Sequence, residues 1–336
     1  YFNTKLYTGN ASTNAITSVG FKPDWVWIKG RGTTNAHMLF DAVRGVGEAI
    51  NSNTPNAEAT VSTAFTAFDS DGFTVGNYSE TNTNSENYVS WNWRASNATA
   101  VSNTDGSITS TVSANTTAGF SIGTFTSAIS SSSYETVGHS LNKTPKVIIT
   151  KNLNTAGQRW GVQAPGILSD NHILELNSTS AASDMSTNGS LTTVNSNVFS
   201  INYSDGVGNA GNYIFYAFAE VKGFSKFGSY VGNGSTWGTF INCGFKPAFI
   251  IIKKNATDYW FMYDDKRGDI NPNAKTLKAN TSDAEGTSGK EIDFLSNGVK
   301  IRNSNNSINT SGSTYIYMCF AEEPIVSSNG VPAVAR

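Results

Sequence analysis

The chain has 336 residues, 25 acidic against 23 Lys and Arg, with 14% of it charged and 12% aromatic. A net charge of −2 leaves no cationic surplus to neutralise a phosphate backbone, and 19 Phe, 13 Tyr and 7 Trp are too many rings for a disordered chain, so nucleic-acid binding and disorder are excluded. No apolar run approaches the roughly 18 residues of a membrane span, and the length predicts two or three domains rather than one ordinary core.

The first recognisable element is an opening strand, Tyr7-Thr8, closed by Gly9-Asn10. Pro23 then leads Trp25-Val26-Trp27-Ile28, which ends at Lys29; a strand start tolerates the missing N–H of proline. Gly72-Phe73-Thr74-Val75 alternates with period two, and Tyr88 to Trp93 closes the set. A Ser/Thr/Asn-rich stretch at 97–118 reads as linker or loop. The same landmarks return with Phe125, Pro145 to Lys151, Val198-Phe199 and Tyr213 to Phe218. They return again with Tyr230 to Asn233, Pro247 to Lys253, Gly298-Val299 and Tyr315 to Phe320. Pro and Tyr lie 65, 68 and 68 residues apart, which defines three internal copies at 1–100, 101–222 and 223–336. Short runs rich in Val, Ile, Thr and aromatics between Asn-Gly, Asp-Gly and Gly-Asn turns make each copy β. About 100 residues of this kind make one sandwich, so the predicted fold is all-β, three tandem β-sandwich (jelly-roll-like) repeats. The Pro-led runs are apolar at nearly every position, as expected of a central strand covered on both faces.

Cys243 and Cys319 are the only thiols, so no disulfide framework holds the fold; both lie in apolar β-type runs, which favours buried thiols over a single bridge. No cysteine and histidine cluster has metal spacing, and neither a metal nor another cofactor is called for.

The third copy carries Gly228 to Gly234, Gly244-Phe-Lys-Pro247, Ala279 to Glu285, Ile292 to Gly298 and Tyr315 to Glu322. This pattern resembles a repeat of fibre-like tail proteins of marine bacteriophages, of the cyanophage and pelagiphage type. The likeness covers essentially the whole chain, strongest at 223–336 and weakest at 101–222. It implies a virion structural protein without known binding residues. The tail from Pro324 to Arg336 matches the way such chains end, which implies a natural C-terminus there and further chain before Tyr1.

Several motifs invite chemistry. Gly119-Phe-Ser121-Ile-Gly123 matches a nucleophile elbow, but no helix follows, so an opening strand is expected instead. His37, His139 and His172 fall at unrelated places in the copies. Asp69-Ser-Asp71-Gly72 begins like a calcium loop and lacks its closing acid, so a turn is expected. Asp41-Ala-Val-Arg44 recurs as Asp264-Asp-Lys-Arg267, while the second copy has Trp160 to Pro165 without either charge. The acid and base three apart form either a local brace or a polar site for a sugar or carboxylate; the brace is the stronger reading, and Asp41, Arg44, Asp264 and Arg267 stand as the binding candidates. Trp25 with Trp27, and Trp91 with Trp93, each share one strand face, expected to be core although such rings also stack sugars.

The function expected is a non-enzymatic bacteriophage virion protein, the C-terminal part of a tail fibre or tail-associated protein that contributes to host-surface attachment. Its expected partners are other virion proteins, further copies in a homotrimer, and a host-surface glycan of neutral, sugar-like character, with no nucleic acid and no membrane insertion. A capsid-decorating or head-fibre protein, an extracellular lectin-like adhesin and, last, a polysaccharide depolymerase are the alternatives.

Overall fold

A computed structural model describes residues 1–268 and 270–322; the tail resemblance at Pro324–Arg336 lies outside the described residues. The chain folds into antiparallel sheets, with α-helix among the described residues confined to the single turns Ser79–Asn82 and Asn306–Asn309, so the fold is all-β. Among the described residues no helix is long and apolar enough to cross a membrane.

One strand order recurs. In the first copy the main sheet runs opening strand Phe2–Thr8, Tyr strand Asn87–Trp93, Pro-led strand Trp25–Gly30, return strand Met38–Asp41. In the second it runs Phe120–Ser127, Gly211–Phe218, Val147–Asn152, Trp160–Gln163. In the third it runs Ser225–Val231, Thr314–Phe320, Phe249–Lys254, Trp260–Asp264. Each main sheet has a smaller companion, built on Gly72–Val75, Val198–Asn202 and Gly298–Ile301 respectively. The register repeats as well: Tyr7 faces Tyr88, Phe125 faces Tyr213 and Tyr230 faces Tyr315, with ring centroids 5.1, 5.0 and 4.9 Å apart. Phe125 therefore fills the tyrosine position, as its place in the copy predicted.

The segment 97–118 corrects the linker reading. It contains strands Val101–Asn103 and Ser110–Asn115, which pair with each other and then with Phe120–Ser127; with His172–Glu175 and Ser183–Asp184 at the other edge the second main sheet has eight strands. Backbone pairing at a sheet edge needs few apolar side chains, and here Val112 is the buried hydrophobic residue of the two strands.

Period-two alternation divides each main sheet between two cores. Val26 and Ile28 join Phe73, Val75 and Tyr88 in a core internal to the first copy, and Ile148 joins Phe199, Phe215 and Tyr213 in the second. The opposite faces carry Trp25, Trp27, Trp91 and Trp93 in the first copy, with Val147, Ile149, Tyr216 and Phe218 in the second. These pack with Phe249, Ile251, Met318 and Phe320 of the third copy into one cluster shared by all three. Trp25 stacks on Tyr216 at 4.4 Å, Trp93 meets Phe249 at 5.8 Å, and Phe218 meets Phe320 at 5.6 Å. The Pro-led runs are thus covered on both faces, by the copy's own companion sheet and by the neighbouring copies. A small void of about 20 Å³ lies inside the shared core, lined by residues of all three copies.

Candidate functional site

The recurring acid–base pairs sit where copies meet. Asp41 takes Arg44 Nε at 2.6 Å and the Tyr216 hydroxyl of the second copy at 2.8 Å, while Arg44 also donates to Glu58 at 2.8 Å. Asp264 takes Arg267 Nε at 2.5 Å and the Trp91 indole N–H of the first copy at 3.0 Å. Glu285 then bridges Arg267 to Arg31 of the first copy. Burial, and next the Asp41 charge, push the Tyr216 hydroxyl well above its ordinary pKa, so it stays a donor. All four candidate side chains are buried and engaged, which leaves no face for a sugar or carboxylate to reach.

The second copy loses the charge because its whole junction has changed. Register places Ala164 where the other copies have Asp41 and Asp264, and Ile167 three residues on, opposite the arginines. The donor position held by Trp91 and Tyr216 is Met318 in the third copy. Acid, base and donor are replaced together by apolar groups, the substitution that avoids leaving a buried charge unpaired.

A second ring of contacts obeys the same rotation. Trp160 of the second copy donates to the Asn51 carbonyl of the first at 3.0 Å, and Trp260 of the third donates to the Glu175 carbonyl of the second at 2.8 Å. His37 holds the equivalent place in the first copy, with Nε2 3.0 Å from the Lys278 carbonyl of the third and Nδ1 accepting from Trp27 at 2.8 Å. These partners fix a neutral ring with its hydrogen on Nε2, and burial lowers its pKa well below the histidine range. Lys29, Lys151 and Lys253, the strand-ending lysines, are buried and donate to carbonyls of their own following turns. Burial lowers each to about 8.

The remaining motifs are structural. Ser121 lies buried within strand Phe120–Ser127 with no turn or helix after it. His139 is buried against the Asn195 carbonyl, and among the described residues no group of three His, Cys, Asp or Glu is arranged to hold a metal. Asp69 and Gly72 close a hairpin, and Asp71 accepts from the amides of Ser18 and Gly20. Cys243 and Cys319 are buried free thiols with their sulfurs 3.3 Å apart.

Because everything that recurs in the three copies is scaffold, an exposed feature that occurs in one copy alone is the candidate site. The companion sheet of the third copy has one. Trp237 is 66% exposed, Val231 55% and Phe240 38%, and Leu295 is also exposed. Arg302 lies 4.5 Å and Lys300 5.5 Å from the Trp237 ring centroid. Phe240 pairs with Lys300 in register, and its ring lies over Gly298, which pairs with Leu295. The matching positions are Thr8 and Thr126 for Val231, Ala15 and Thr136 for Phe240, and Asp69 and Asn195 for Leu295. They are Thr74 and Ser200 for Lys300, and Gly76 and Asn202 for Arg302. The loop equivalent to that of Trp237 carries no aromatic residue in the first copy, at 9–14; in the second, at 127–135, it carries the exposed Tyr134, which has neither of the two cations that flank Trp237.

An opening of about 590 Å³ lies between the first and third copies, where Tyr1 and Glu322 both reach its wall. Asp71, Asp265 and Glu322 line it; Glu322 pairs with Lys266 at 3.0 Å, and burial pushes Asp265 up to about 6.

A family described as a domain of unknown function, DUF7483, matches residues 1–324. The chain belongs to the DUF7483 family. The match runs through all three copies, so the DUF7483 unit corresponds to the whole body with its shared core and not to one sandwich. No curated protein and no solved structure matches the chain. In this DUF7483 chain the sequence led to the recurring residues and missed Trp237, Phe240, Lys300 and Arg302. Aligning the copies for their differences, instead of their likeness, is the signal that finds them.

Proposed function

We propose that this chain is a non-enzymatic virion protein, the C-terminal part of a tail fibre or tail-associated protein that contributes to attachment to the host surface. Its partners in this reading are other virion proteins, further copies of itself in a homotrimer, and a glycan of the host surface. The observation that carries the reading is the division of labour among the copies: recurring polar and aromatic residues are spent on a common core, while the third copy presents an exposed tryptophan flanked by two cations. The resemblance to phage fibre repeats supports the location. Particles lacking the chain should adsorb poorly to host cells, and labelled antibody should find the chain on the tail; normal adsorption sinks the proposal, and label on the head moves it to a capsid fibre.

A depolymerase is the second reading, favoured by the opening between the first and third copies, where a carboxyl raised to about 6 stands with two other acids. Incubating host glycan with the chain and measuring new reducing ends decides it; ends that disappear in Asp265→Asn would establish hydrolysis.

A further inference from the structure

We propose that the exposed face of the third copy, centred on Trp237, binds an acidic saccharide, a sugar polymer bearing carboxylate or sulfate groups. The inference deepens the attachment reading and rests on it for its biological role. Sequence composition favoured a neutral sugar; the placement of cations argues otherwise.

Three properties point to a ligand. The first is preorganisation. The Trp237 amide donates to Ser235 Oγ at 3.0 Å, its carbonyl accepts from Asn233 at 3.1 Å, and Gly238 N–H bonds the Ile301 carbonyl at 3.1 Å. Asn309, buried beneath the loop, bonds Asn233 and the Ser235 carbonyl. A large ring so held in water loses little freedom when something stacks on it. The second is shape chemistry. Arg302 lies against the indole, which keeps 66% of its surface exposed, and an indole offers an apolar platform to the C–H face of a pyranose. Phe240, opposite Lys300 in register, adds a second exposed ring where the other copies have Ala15 and Thr136.

The third is charge. Arg302 is paired with Asp293 at 2.6 Å, whereas Lys300 has no ion-pair partner among the described residues. Of the two cations beside the ring, Lys300 is thus the one left to meet an anionic ligand. A carboxylate or sulfate set beside the stacked ring meets the Lys300 ammonium, a charged donor. A neutral polymer would leave that ammonium unused.

The test uses the full chain with polygalacturonate, dextran sulfate and uncharged dextran, read by affinity electrophoresis and by Trp fluorescence at low and high salt. Binding to an acidic polymer and not to dextran, weakened by salt, is expected. Trp237→Ala and Lys300→Gln should each weaken it about tenfold, the change that ~1.4 kcal/mol makes. Lys143→Gln, an exposed cation of the second copy, should leave it unchanged. Equal binding of dextran, or acidic-polymer binding indifferent to Trp237→Ala and Lys300→Gln, overturns the proposal. So does a face that buries itself in self-association, seen as an oligomer that Trp237→Ala dissociates while no acidic polymer binds. All of these readings use the isolated chain, so they stand or fall apart from the adsorption of particles that tests attachment.

Discussion

Tyr216 of the second copy gives its hydroxyl to Asp41 of the first across 2.8 Å of buried interface, and Trp91 of the first gives its indole N–H to Asp264 of the third in the same sense. The third turn of this cycle would join Met318 to Ala164, and there the polar set is replaced by an apolar one. Asp41→Ala alone leaves the buried Arg44 guanidinium with only Glu58 and the Leu39 carbonyl as partners and should cost about 3–5 kcal/mol. Tyr216→Phe should cost about 1 kcal/mol. The triple change Asp41→Ala, Arg44→Ile, Tyr216→Met copies the apolar junction and should be less damaging than Asp41→Ala by itself. Urea unfolding of the four proteins checks the order.

Trp27 and His37 together occupy the space that Ile149 with Trp160, and Ile251 with Trp260, occupy in the other copies. His37→Trp should overpack the core and lower stability by about 1–3 kcal/mol. Adding Trp27→Ile should restore most of that loss, a coupling that a double-mutant cycle measures.

His37 also sets an acid limit. Its folded pKa lies well below its unfolded value of about 6.5, so below that pH the unfolded chain binds a proton that the folded chain refuses. This contribution to stability is present above about pH 6.5 and fades as the pH falls. In the Trp27→Ile, His37→Trp protein the melting temperature should depend less steeply on pH between 4 and 6.5, and an unchanged slope would refute the assignment.

The lysines act in the opposite range. Lys29, Lys151 and Lys253 are lowered to about 8, while an unfolded lysine titrates near 10.4. Between those values the unfolded state holds more protons, so stability should rise with pH from about 8 towards 10. Above 10 it should fall, because buried Tyr216 and Tyr230, with half-buried Tyr7, keep protons that unfolded tyrosines release. Replacing the three lysines by Met should flatten the rising limb of a melting-temperature profile.

Cys243 and Cys319 are buried, and burial first, then the neighbouring thiol, raises the Cys319 pKa well above the ordinary value. A thiolate-dependent alkylating reagent should leave both unmodified in the native chain and react with both in urea. Mass spectrometry before and after denaturation reads this directly.

The three-copy order was legible because its markers are local. Pro sets a strand start, Lys six residues on ends the run, and Tyr with an aromatic five residues later marks the strand beside it. The strands at 101–103 and 110–115 were not legible, since an edge strand is held by backbone hydrogen bonds and its side chains stay polar. The acid–base pairs were visible as a recurrence, but their meaning was not: Tyr216 lies 175 residues from Asp41, and nothing in either neighbourhood names the other.

The low charge of the chain, its Asn and Gly turns and its period-two runs determine an all-β protein in three copies, because backbone geometry and burial pattern act over a few residues. They also require that the Pro-led strands be covered on both faces. What covers the second face was decided only by the tertiary structure, where three sheets turn their tryptophans and phenylalanines toward one another. Alternation states that a face is buried and is silent on the partner, since hydrophobic burial has no direction of its own. The same packing separates Trp25 and Trp91, sealed in the shared core, from Trp237, left in water beside Lys300 and Arg302.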